Sequence, residues 1–312
     1  MAPAAPFFDD IANGPAGGAA HWLTTPDNRR IRAGHWPGDG AKGTVLIFPG
    51  RTEYIEKYGI TAQALTAEGY SVLAVDWRGQ GLADRLISDT NLGHIGDFAD
   101  YQHDVAAMLD HAIVLGLPRP YFLIAHSMGG CIGLRSLMNG LDVKAVMFSA
   151  PMWGIQMPPA TRAFAWSLTT LSLSFKFDEK LVPGQAATSY PLIQPFAGNM
   201  LTNDAEIYAA LRGQIAAHPA LGLGGPTLRW LNRSLHEMRD LARLPAPAIP
   251  CITFLGSRES IVDPAAIRAR MARWPGGVLH DIKGGLHEML MDRPEMRDTV
   301  TTTTIAHFDA HR

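Results

Sequence analysis

A serine stands where an apolar run meets two glycines in the segment 122–130, FLIAHSMGG. The run ends in His126, Ser127 and Met128, and the glycines follow at once. A serine between a strand and a helix, with small residues close by, is typical of a nucleophile elbow, a strained turn that projects the hydroxyl from the edge of a sheet. The alternative interpretation is an apolar strand that ends in an ordinary turn.

The segment departs from the usual G-x-S-x-G pattern at its first position, which holds Ala125. The turn requires a small side chain there, because the following helix passes close to the strand. Ala125 adds one methyl group, while Gly129 and Gly130 keep the other side open. We therefore expect the elbow geometry to be retained. Whether Ser127 is a nucleophile depends on whether a histidine and an acid follow later in the chain.

Two later segments supply candidate partners for the serine. The apolar run CITFLG is followed by two carboxylates, Glu259 and Asp263, and the run VLHDIKGG is followed by His287. The order serine, acid, histidine is found in α/β-hydrolases and differs from the order in other serine-hydrolase folds. The alternative for His287 is an ordinary loop histidine, and we expect His126 to shape the turn beside the nucleophile.

Apolar runs and helical patterns alternate through the first half of the chain, which predicts a mostly parallel sheet flanked by helices. Strands are expected at 43–50, 70–81, 120–127 and 143–151, and helices at 54–69, 96–117 and 128–138. Asp97 is placed to cap the second of these helices. The segment 21–36 differs and predicts a β-hairpin at the edge of the sheet.

The alternation stops after Pro151. The segment 152–244 carries helical patterns without a convincing strand, and the α/β pattern resumes after LPAPAIP at 244–250. This break predicts a core formed by residues 1–150 and 245–312, with a helical cap inserted at 151–244.

Charge and cysteine content limit the partners and the compartment. The net charge is −2 and no basic run is present, so we expect no nucleic-acid partner. Cys131 and Cys251 lie in apolar stretches, as expected of buried thiols in a reducing compartment, with a single disulfide as the alternative. The N-terminus lacks a basic residue before its apolar part, and no apolar run reaches the roughly 18–20 residues of a membrane helix. We therefore expect a cytoplasmic protein.

Taken together, these segments resemble the monoacylglycerol lipase and lysophospholipase group of α/β-hydrolases, and its bacterial lysophospholipase branch in particular. The resemblance covers nearly the whole chain and rests on FPGRTEYIEKY, VDWRGQGLADR, AHSMGG, MFSAP, LTNDAEIYAALRGQIAAHPALGLGGPTLRWL and GLHEML, in the order of that group. It implies the α/β-hydrolase fold, a reaction of the esterase or lipase type, and a cap that lines an acyl pocket.

Two positions depart from the pattern of this group. The oxyanion turn reads Pro49-Gly50-Arg51, where many members have His-Gly and a small residue. The acid position, three residues after Gly256, holds Glu259 where most members carry Asp. In the group a carboxylate at the position of Asp263 commonly caps the next helix, and Asp263 followed by proline suits a helix start. The resemblance thus favours Glu259 as the acid and leaves Asp263 as the alternative.

The expected reaction is that of a serine carboxylic-ester hydrolase. Ser127 attacks the ester carbonyl, His287 is the general base, and Glu259 orients His287. The backbone N–H groups of Met128 and Arg51 form the oxyanion hole. No metal and no organic cofactor is expected.

Two arginine side chains are expected to have structural partners. For Arg51 the expected partner is Glu53 or Glu56, and the alternative is contact with the substrate. Arg78, in VDWRGQG, is expected to be bonded within the core.

The apolar cap segment 163–177 favours a lipid substrate, because it carries too many apolar side chains for a fully solvated helix. These side chains could line an acyl pocket, face a membrane surface or pack the cap onto the core. We expect Phe164, Trp166 and Leu171 to contact the substrate, a monoacylglycerol or lysophospholipid. The alternatives are a short-chain ester, another acyl-transfer reaction (thioesterase, acyltransferase or peptidase), or ligand binding without catalysis. The sequence does not indicate the oligomeric state.

Overall fold

One sheet organises the computed structural model, which describes residues 2–39 and 41–312. Its strands within those residues are β1 (Ala4–Ala5), β2 (Ala19–Thr24), β3 (Arg30–Trp36), β4 (Gly43–Phe48), β5 (Tyr70–Asp76), β6 (Tyr121–His126), β7 (Val146–Ser149), β8 (Cys251–Gly256) and β9 (Val278–Ile282). The spatial order is β1-β2-β3-β5-β4-β6-β7-β8-β9. Strands pair antiparallel from β1 to β5 and parallel from β5 to β9.

The parallel part of the sheet is buried on both faces. Every residue of β4, β5, β6, β7 and β8 is buried, which explains why these segments read as continuous apolar runs. The edge is different, since β2 and β3 form the hairpin that the sequence predicted at 21–36. The mostly parallel α/β sheet is thereby confirmed.

Helices cover the sheet and continue into the segment between β7 and β8. They are α1 (Asp9–Ala12), α2 (Gly59–Ala67), α3 (Tyr101–Val114), α4 (Met128–Met138), α5 (Pro159–Ser174), α6 (Tyr190–Ile193), α7 (Ala205–Ala217), α8 (Leu228–Arg243), α9 (Pro264–Met271) and α10 (Pro294–Asp309). Short 3₁₀ turns lie at Ile55–Tyr58, Phe98–Asp100, Pro219–Leu221 and Met289–Met291. Asp97 caps the turn before α3 by accepting the N–H of Ala99 at 3.1 Å, as its position predicted.

Residues 151–244, which we interpret as the cap, contribute α5, α6, α7 and α8. In the described residues of this segment, β-structure is limited to isolated bridges such as the one between Leu181 and Thr227. Helix α8 packs on α5 and on α4 of the core. An ion pair between Arg135 of α4 and Glu237 of α8, 2.6 Å apart, joins these two helices.

Several expected structural roles can be read directly from side-chain contacts. Cys131 and Cys251 are both buried free thiols, so the alternative of a disulfide is wrong. Arg78 is bonded in the core, with its Nε 2.8 Å from Asp104 and its terminal nitrogens on Asp27.

None of the described helices combines the length and the apolar character needed to cross a membrane.

Candidate active site

Ser127 occupies a strained turn between β6 and α4. Its backbone angles are φ 49° and ψ −116°, in a region that residues with a side chain rarely adopt. The N–H of Ser127 donates to the carbonyl of Ser149 at 3.1 Å, and its own carbonyl accepts from the N–H of Met152 at 2.8 Å. These bonds to the segment after β7 hold a conformation that costs roughly 1–3 kcal/mol.

The two glycines after the serine are needed because α4 starts in contact with neighbouring backbone. A Cβ on Gly129 would lie 2.0 Å from the carbonyl oxygen of Phe48, at the end of β4. A Cβ on Gly130 would lie 2.5 Å from the Cβ of Pro151. This close approach brings the first N–H groups of α4 beside the turn that follows β4.

The methyl group of Ala125 is accommodated by a glycine further along α4. A Cβ on Gly133 would lie 3.3 Å from the Cβ of Ala125 and 3.1 Å from Leu123 Cδ2. Because Gly133 carries no side chain, α4 can approach β6 closely although the elbow starts with alanine. The departure from G-x-S-x-G is therefore compensated within the same strand–helix pair.

His287 and Glu259 form a hydrogen-bonded pair at the carboxyl end of the sheet. His287 Nδ1 lies 2.8 Å from Glu259 Oε2. The other carboxylate oxygen accepts the N–H groups of Ile261 at 2.6 Å and Val262 at 3.1 Å. Burial by itself would raise the pKa of Glu259, but His287 and these N–H groups hold it below its ordinary value. The carboxylate therefore stays charged beside the imidazole.

Backbone contacts between the loops after β8 and β9 hold Glu259 and His287 next to each other. A Cβ on Gly256, at the end of β8, would lie 2.4 Å from the carbonyl oxygen of Gly285. The N–H of Arg258 donates to the same carbonyl at 2.9 Å. The loop that carries Glu259 is thus held against the loop that carries His287.

Asp263, the alternative acid, lies at a helix start instead. Its Oδ1 accepts the N–H of Ala265 at 2.9 Å and so caps α9. Its other oxygen lies 3.0 Å from Arg162 on α5. The structure accordingly places Glu259 beside His287 and gives Asp263 a structural role.

The two predicted oxyanion donors lie at the ends of neighbouring strands. Met128 is the first residue of α4, and Arg51 is in the turn after β4. Strands β4 and β6 pair in parallel with Phe48 opposite Ala125, so both N–H groups belong to the same edge of the sheet. A helix N-terminus beside a free N–H is suited to a developing negative charge.

The expected salt bridge of Arg51 was wrong. Its guanidinium donates to the carbonyl of Gly224 at 2.8 Å and lies 5.6 Å from the ring centre of Trp230. Glu53 and Glu56 both turn into the core, where other cations pair with them. Glu53 precedes the 3₁₀ turn at Ile55–Tyr58 and Glu56 lies within it, and neither carboxylate pairs with Arg51 in the described residues.

A buried charge cluster lies beside His287. Lys57 Nζ contacts Glu53 at 2.5 Å and Glu288 at 2.7 Å, and Nε2 of His126 lies 3.5 Å and 3.4 Å from these same two carboxylates. The rings of His126 and His287 are 4.8 Å apart between centroids. Carboxylate and imidazole atoms within 4.8 Å of one another could also hold a metal ion, but here the ammonium of Lys57 already supplies a positive charge.

The two ring nitrogens of His126 face different partners. Nδ1 lies 3.0 Å from the carbonyl of Ser149 and must donate there, while Nε2 faces the carboxylates of Glu53 and Glu288. Burial opposes a charge on this ring, but the two carboxylates prevail and raise the pKa of His126. His126 is therefore bonded to the segment that holds the turn, and the two carboxylates favour its charged form beside His287.

A cavity of about 590 Å³ opens over Ser127 and His287. Its size is within the usual range for small-molecule sites. Much of its remaining wall is apolar and comes largely from the cap, with Phe164, Leu168, Val182, Leu201, Leu211 and Leu231 among the lining residues. The predicted contact residue Phe164 lines this cavity.

Two other predicted contact residues lie elsewhere on α5. Trp166 packs its ring edge on His236, 4.7 Å between centroids, and the guanidinium of Arg239 lies 5.2 Å from the Trp166 ring. Leu171 is two turns beyond Phe164 along the helix and is 51% exposed. Neither lines the cavity, so for this site the expected substrate contacts of Trp166 and Leu171 were wrong.

Comparison with known proteins identifies the group to which this site belongs. Residues 39–294 match the family described as serine aminopeptidase, S33. The chain belongs to this family. Lysophospholipase L2 of Escherichia coli (strain K12) is 32% identical over 277 residues, which cover 86% of this chain and 80% of that protein. A probable lysophospholipase L2 of Haemophilus influenzae is 26% identical over 312 residues and covers 99% and 95% of the two chains.

The fold of this S33-family serine hydrolase also matches solved structures. A soluble variant of monoglyceride lipase from Saccharomyces cerevisiae superposes with a TM-score of 0.72 at 19% identity, over 93% of this chain and 94% of that chain. At this identity the likeness shows a shared α/β-hydrolase fold.

Sequence reasoning missed the charge cluster of this S33-family site. Glu53 and Lys57 are four residues apart after the oxyanion turn, and Glu288 directly follows the histidine. The spacing of Glu53 and Lys57 is that of a helical ion pair, which was a usable signal. Their joint contact with Glu288 depends on a fold contact between distant segments and had no local signature.

Proposed function

We propose that the protein hydrolyses the carboxylic ester of single-chain lipids, with lysophospholipids and monoacylglycerols as the substrate class. The observation that carries this proposal is the arrangement at the cavity. Ser127 in its strained turn and His287, hydrogen-bonded to Glu259, both line a cavity whose other walls are largely apolar. The names of the Escherichia coli and Haemophilus influenzae relatives support a phospholipid-derived substrate.

The reaction begins with attack of Ser127 Oγ on the ester carbonyl, while His287 Nε2 takes the hydroxyl proton. Glu259 accepts the Nδ1–H of His287 and stabilises the imidazolium that forms. The N–H groups of Met128 and Arg51 bind the oxyanion, and loss of one such donor typically slows the reaction about 10²–10³-fold. The alcohol leaves with the proton from His287, and water then releases the fatty acid from Ser127.

The cap explains how a lipid chain would be held. Each methylene group that the cavity removes from water contributes about 0.8 kcal/mol, so the apolar wall favours medium or long acyl chains. The cap also exposes apolar side chains at Phe164, Leu171, Phe175, Ile193 and Phe196. We propose that these side chains rest on the surface of the membrane or micelle that supplies the substrate.

A peptide substrate is less well supported, although the family is named for an aminopeptidase. Recognition of a free N-terminal amine calls for an available carboxylate near the nucleophile. The carboxylates of Glu53 and Glu288 line the cavity, but Lys57 already pairs with both. For the compartment we propose the reducing cytoplasm, where free thiols such as Cys131 and Cys251 persist.

Hydrolysis of p-nitrophenyl esters from acetate to palmitate tests the proposal, with Ser127→Ala beside the wild type. We expect kcat/KM to peak at medium or long chains and to fall by at least about 10³-fold in the variant, because the nucleophile is lost. Ser167→Ala, on the exposed face of α5, is the matched control and should retain full activity. Activity that survives in Ser127→Ala would contradict the assignment of the nucleophile.

The same enzymes are then assayed on monoacylglycerol and lysophospholipid by release of fatty acid. We expect both lipids to be cleaved, with rates that rise once the substrate forms micelles, because the cap then meets a lipid surface. A preference for acetate and no release from either lipid would make the protein a short-chain esterase and would refute the lipid proposal.

A further inference from the structure

The charges that line the active-site cavity are paired, with one exception. The charged or imidazole-bearing lining residues are Arg51, Glu53, Lys57, His126, His287 and Glu288. Lys57 pairs with both Glu53 and Glu288, these two carboxylates face His126, and His287 pairs with Glu259. Among the residues that the structure describes, Arg51 has no carboxylate within the 4.0 Å of a salt bridge.

The guanidinium of Arg51 is held in place by neutral groups. One nitrogen donates to the carbonyl of Gly224 at 2.8 Å, and the group lies 5.6 Å from the ring centre of Trp230, within the range of a cation–π contact. A Cβ on Gly93 would lie 3.2 Å from Nη1, so backbone also closes on this side. Burial lowers the pKa of Arg51 to about 10, which leaves the guanidinium charged at neutral pH.

A structural role alone does not account for this arrangement. Arg51 is partly buried, and a charge that loses part of its hydration is normally compensated by a carboxylate. The guanidinium has five N–H donors, and the described residues accept one hydrogen bond from it. The remaining donors are available to an anion that enters the cavity, and a planar guanidinium binds phosphate or carboxylate oxygens in pairs.

The position of Arg51 relates this cation to the ester. Its backbone N–H is the proposed oxyanion donor, so its side chain begins beside the reacting carbonyl. In a lysophospholipid only a glycerol unit separates the ester from an anionic phosphodiester, whereas a monoacylglycerol ends in neutral hydroxyls. We propose that the side chain of Arg51 binds the phosphodiester of a lysophospholipid and makes the enzyme prefer it over a monoacylglycerol of the same chain length. This inference rests on the proposed function.

The test compares two substrates with the same acyl chain, lysophosphatidylethanolamine and 1-monoacylglycerol, in mixed micelles of one neutral detergent. The readout is the ratio of their kcat/KM values in the wild type, Arg51→Lys and Arg51→Met. The ratio cancels any change in the oxyanion hole, because both substrates use the same backbone N–H. We expect this ratio to fall about 10–100-fold in Arg51→Met, which corresponds to the loss of a charge-assisted hydrogen bond. The fall should be smaller in Arg51→Lys, because lysine keeps the positive charge but lacks the paired N–H groups of a guanidinium.

Arg85→Met is the matched control. Among the described residues, Arg85 also donates to carbonyl groups alone, those of Gly79, Ala220 and Gly222, but it is not one of the residues that line the cavity. Its substitution should leave the substrate ratio unchanged. An unchanged ratio in a folded, active Arg51→Met enzyme would overturn the inference. Cleavage of p-nitrophenyl esters without cleavage of either lipid would instead refute the lipid substrate, and the inference with it.

A second measurement uses the wild type alone and so does not depend on the folding of a variant. A lysophospholipid with an ether in place of the ester and the matching alkylglycerol are compared as inhibitors of p-nitrophenyl butyrate hydrolysis. We expect the ether lysophospholipid to inhibit at a concentration at least about tenfold lower. Equal inhibition by the two ethers would overturn the inference.

Discussion

At the residue scale, the two carboxylate oxygens of Glu259 have separate partners, which suits this side chain to its proposed role of orienting His287. One oxygen of Glu259 is fixed by the N–H groups of Ile261 and Val262, and the other faces His287 at 2.8 Å. The extra methylene is therefore not a source of freedom. The hydrogen bonds at both oxygens hold the longer side chain in one position.

We expect Glu259→Gln to lower kcat/KM on p-nitrophenyl butyrate by roughly 10³–10⁴-fold, because an amide cannot balance the imidazolium of His287. Asp263→Asn is the matched carboxylate-to-amide control. It should change kcat/KM at most a few-fold and lower the free energy of unfolding by less than about 1 kcal/mol, since asparagine also caps α9 and only the partly exposed ion pair with Arg162 is lost. If the two variants lost activity to the same extent, Glu259 would not be the acid.

At the element scale, β6 and α4 are fitted to each other through Ala125 and Gly133. We expect Gly133→Ala to lower the free energy of unfolding by about 1–2 kcal/mol, because its Cβ would lie 3.1 Å from Leu123 Cδ2 and 3.3 Å from Ala125 Cβ. The loss should be smaller when Ala125→Gly removes one of these contacts. Urea denaturation of the single and double variants measures this coupling.

Gly213→Ala provides the control for this cycle. Gly213 lies inside α7, and nothing comes within 4 Å of a Cβ at that position. Alanine is favoured over glycine in a helix by up to about 1 kcal/mol, so this variant should be more stable than the wild type. If Gly133→Ala were stabilised equally, the proposed compensation between strand and helix would be wrong.

What the sequence could predict follows from the same elements. Ser127, Glu259 and His287 each follow an apolar run, and the carboxyl ends of parallel strands share one edge, so chain order alone indicated that they meet. The partner of Arg51 was missed because Glu53 and Glu56 pair with Lys57 and Arg32, and Arg51 bonds to the distant carbonyl of Gly224. The contacts of Trp166 depend on how α5 rotates against α8, and no local pattern in the chain specifies that rotation.

At the scale of the whole molecule, a group of histidines joins the edge hairpin of the sheet to the helix layer. The ring of His111 on α3 lies 4.9 Å from that of His21 on β2, which lies 5.5 Å from that of His35 on β3. Each has a buried ring nitrogen without a hydrogen-bond partner among the described residues. Burial, followed by the influence of His21 and His35, lowers the pKa of His111 to about 4. The packing therefore favours the neutral form of His111.

The acid stability of the protein should reflect this group. A histidine in an unfolded chain has a pKa near 6.5. Below that pH, His111 binds a proton in the unfolded chain but not in the folded protein. The stability that neutral His111 contributes is complete above about pH 6.5 and is lost as the pH falls toward its folded pKa of about 4. The interaction that is weakened is the one between the β2–β3 edge and α3.

We expect the free energy of unfolding to fall by roughly 2–3 kcal/mol more between pH 7 and pH 4.5 in the wild type than in His111→Gln, which cannot take up a proton. The measurement is urea denaturation at both pH values, with His103→Gln on the exposed face of α3 as the matched control. The carboxylates of Glu259 and Glu288, whose pKa values lie below the ordinary range, contribute equally to all three proteins in this comparison. A pH dependence in His111→Gln equal to that of the wild type would show that the acid response arises elsewhere in the molecule.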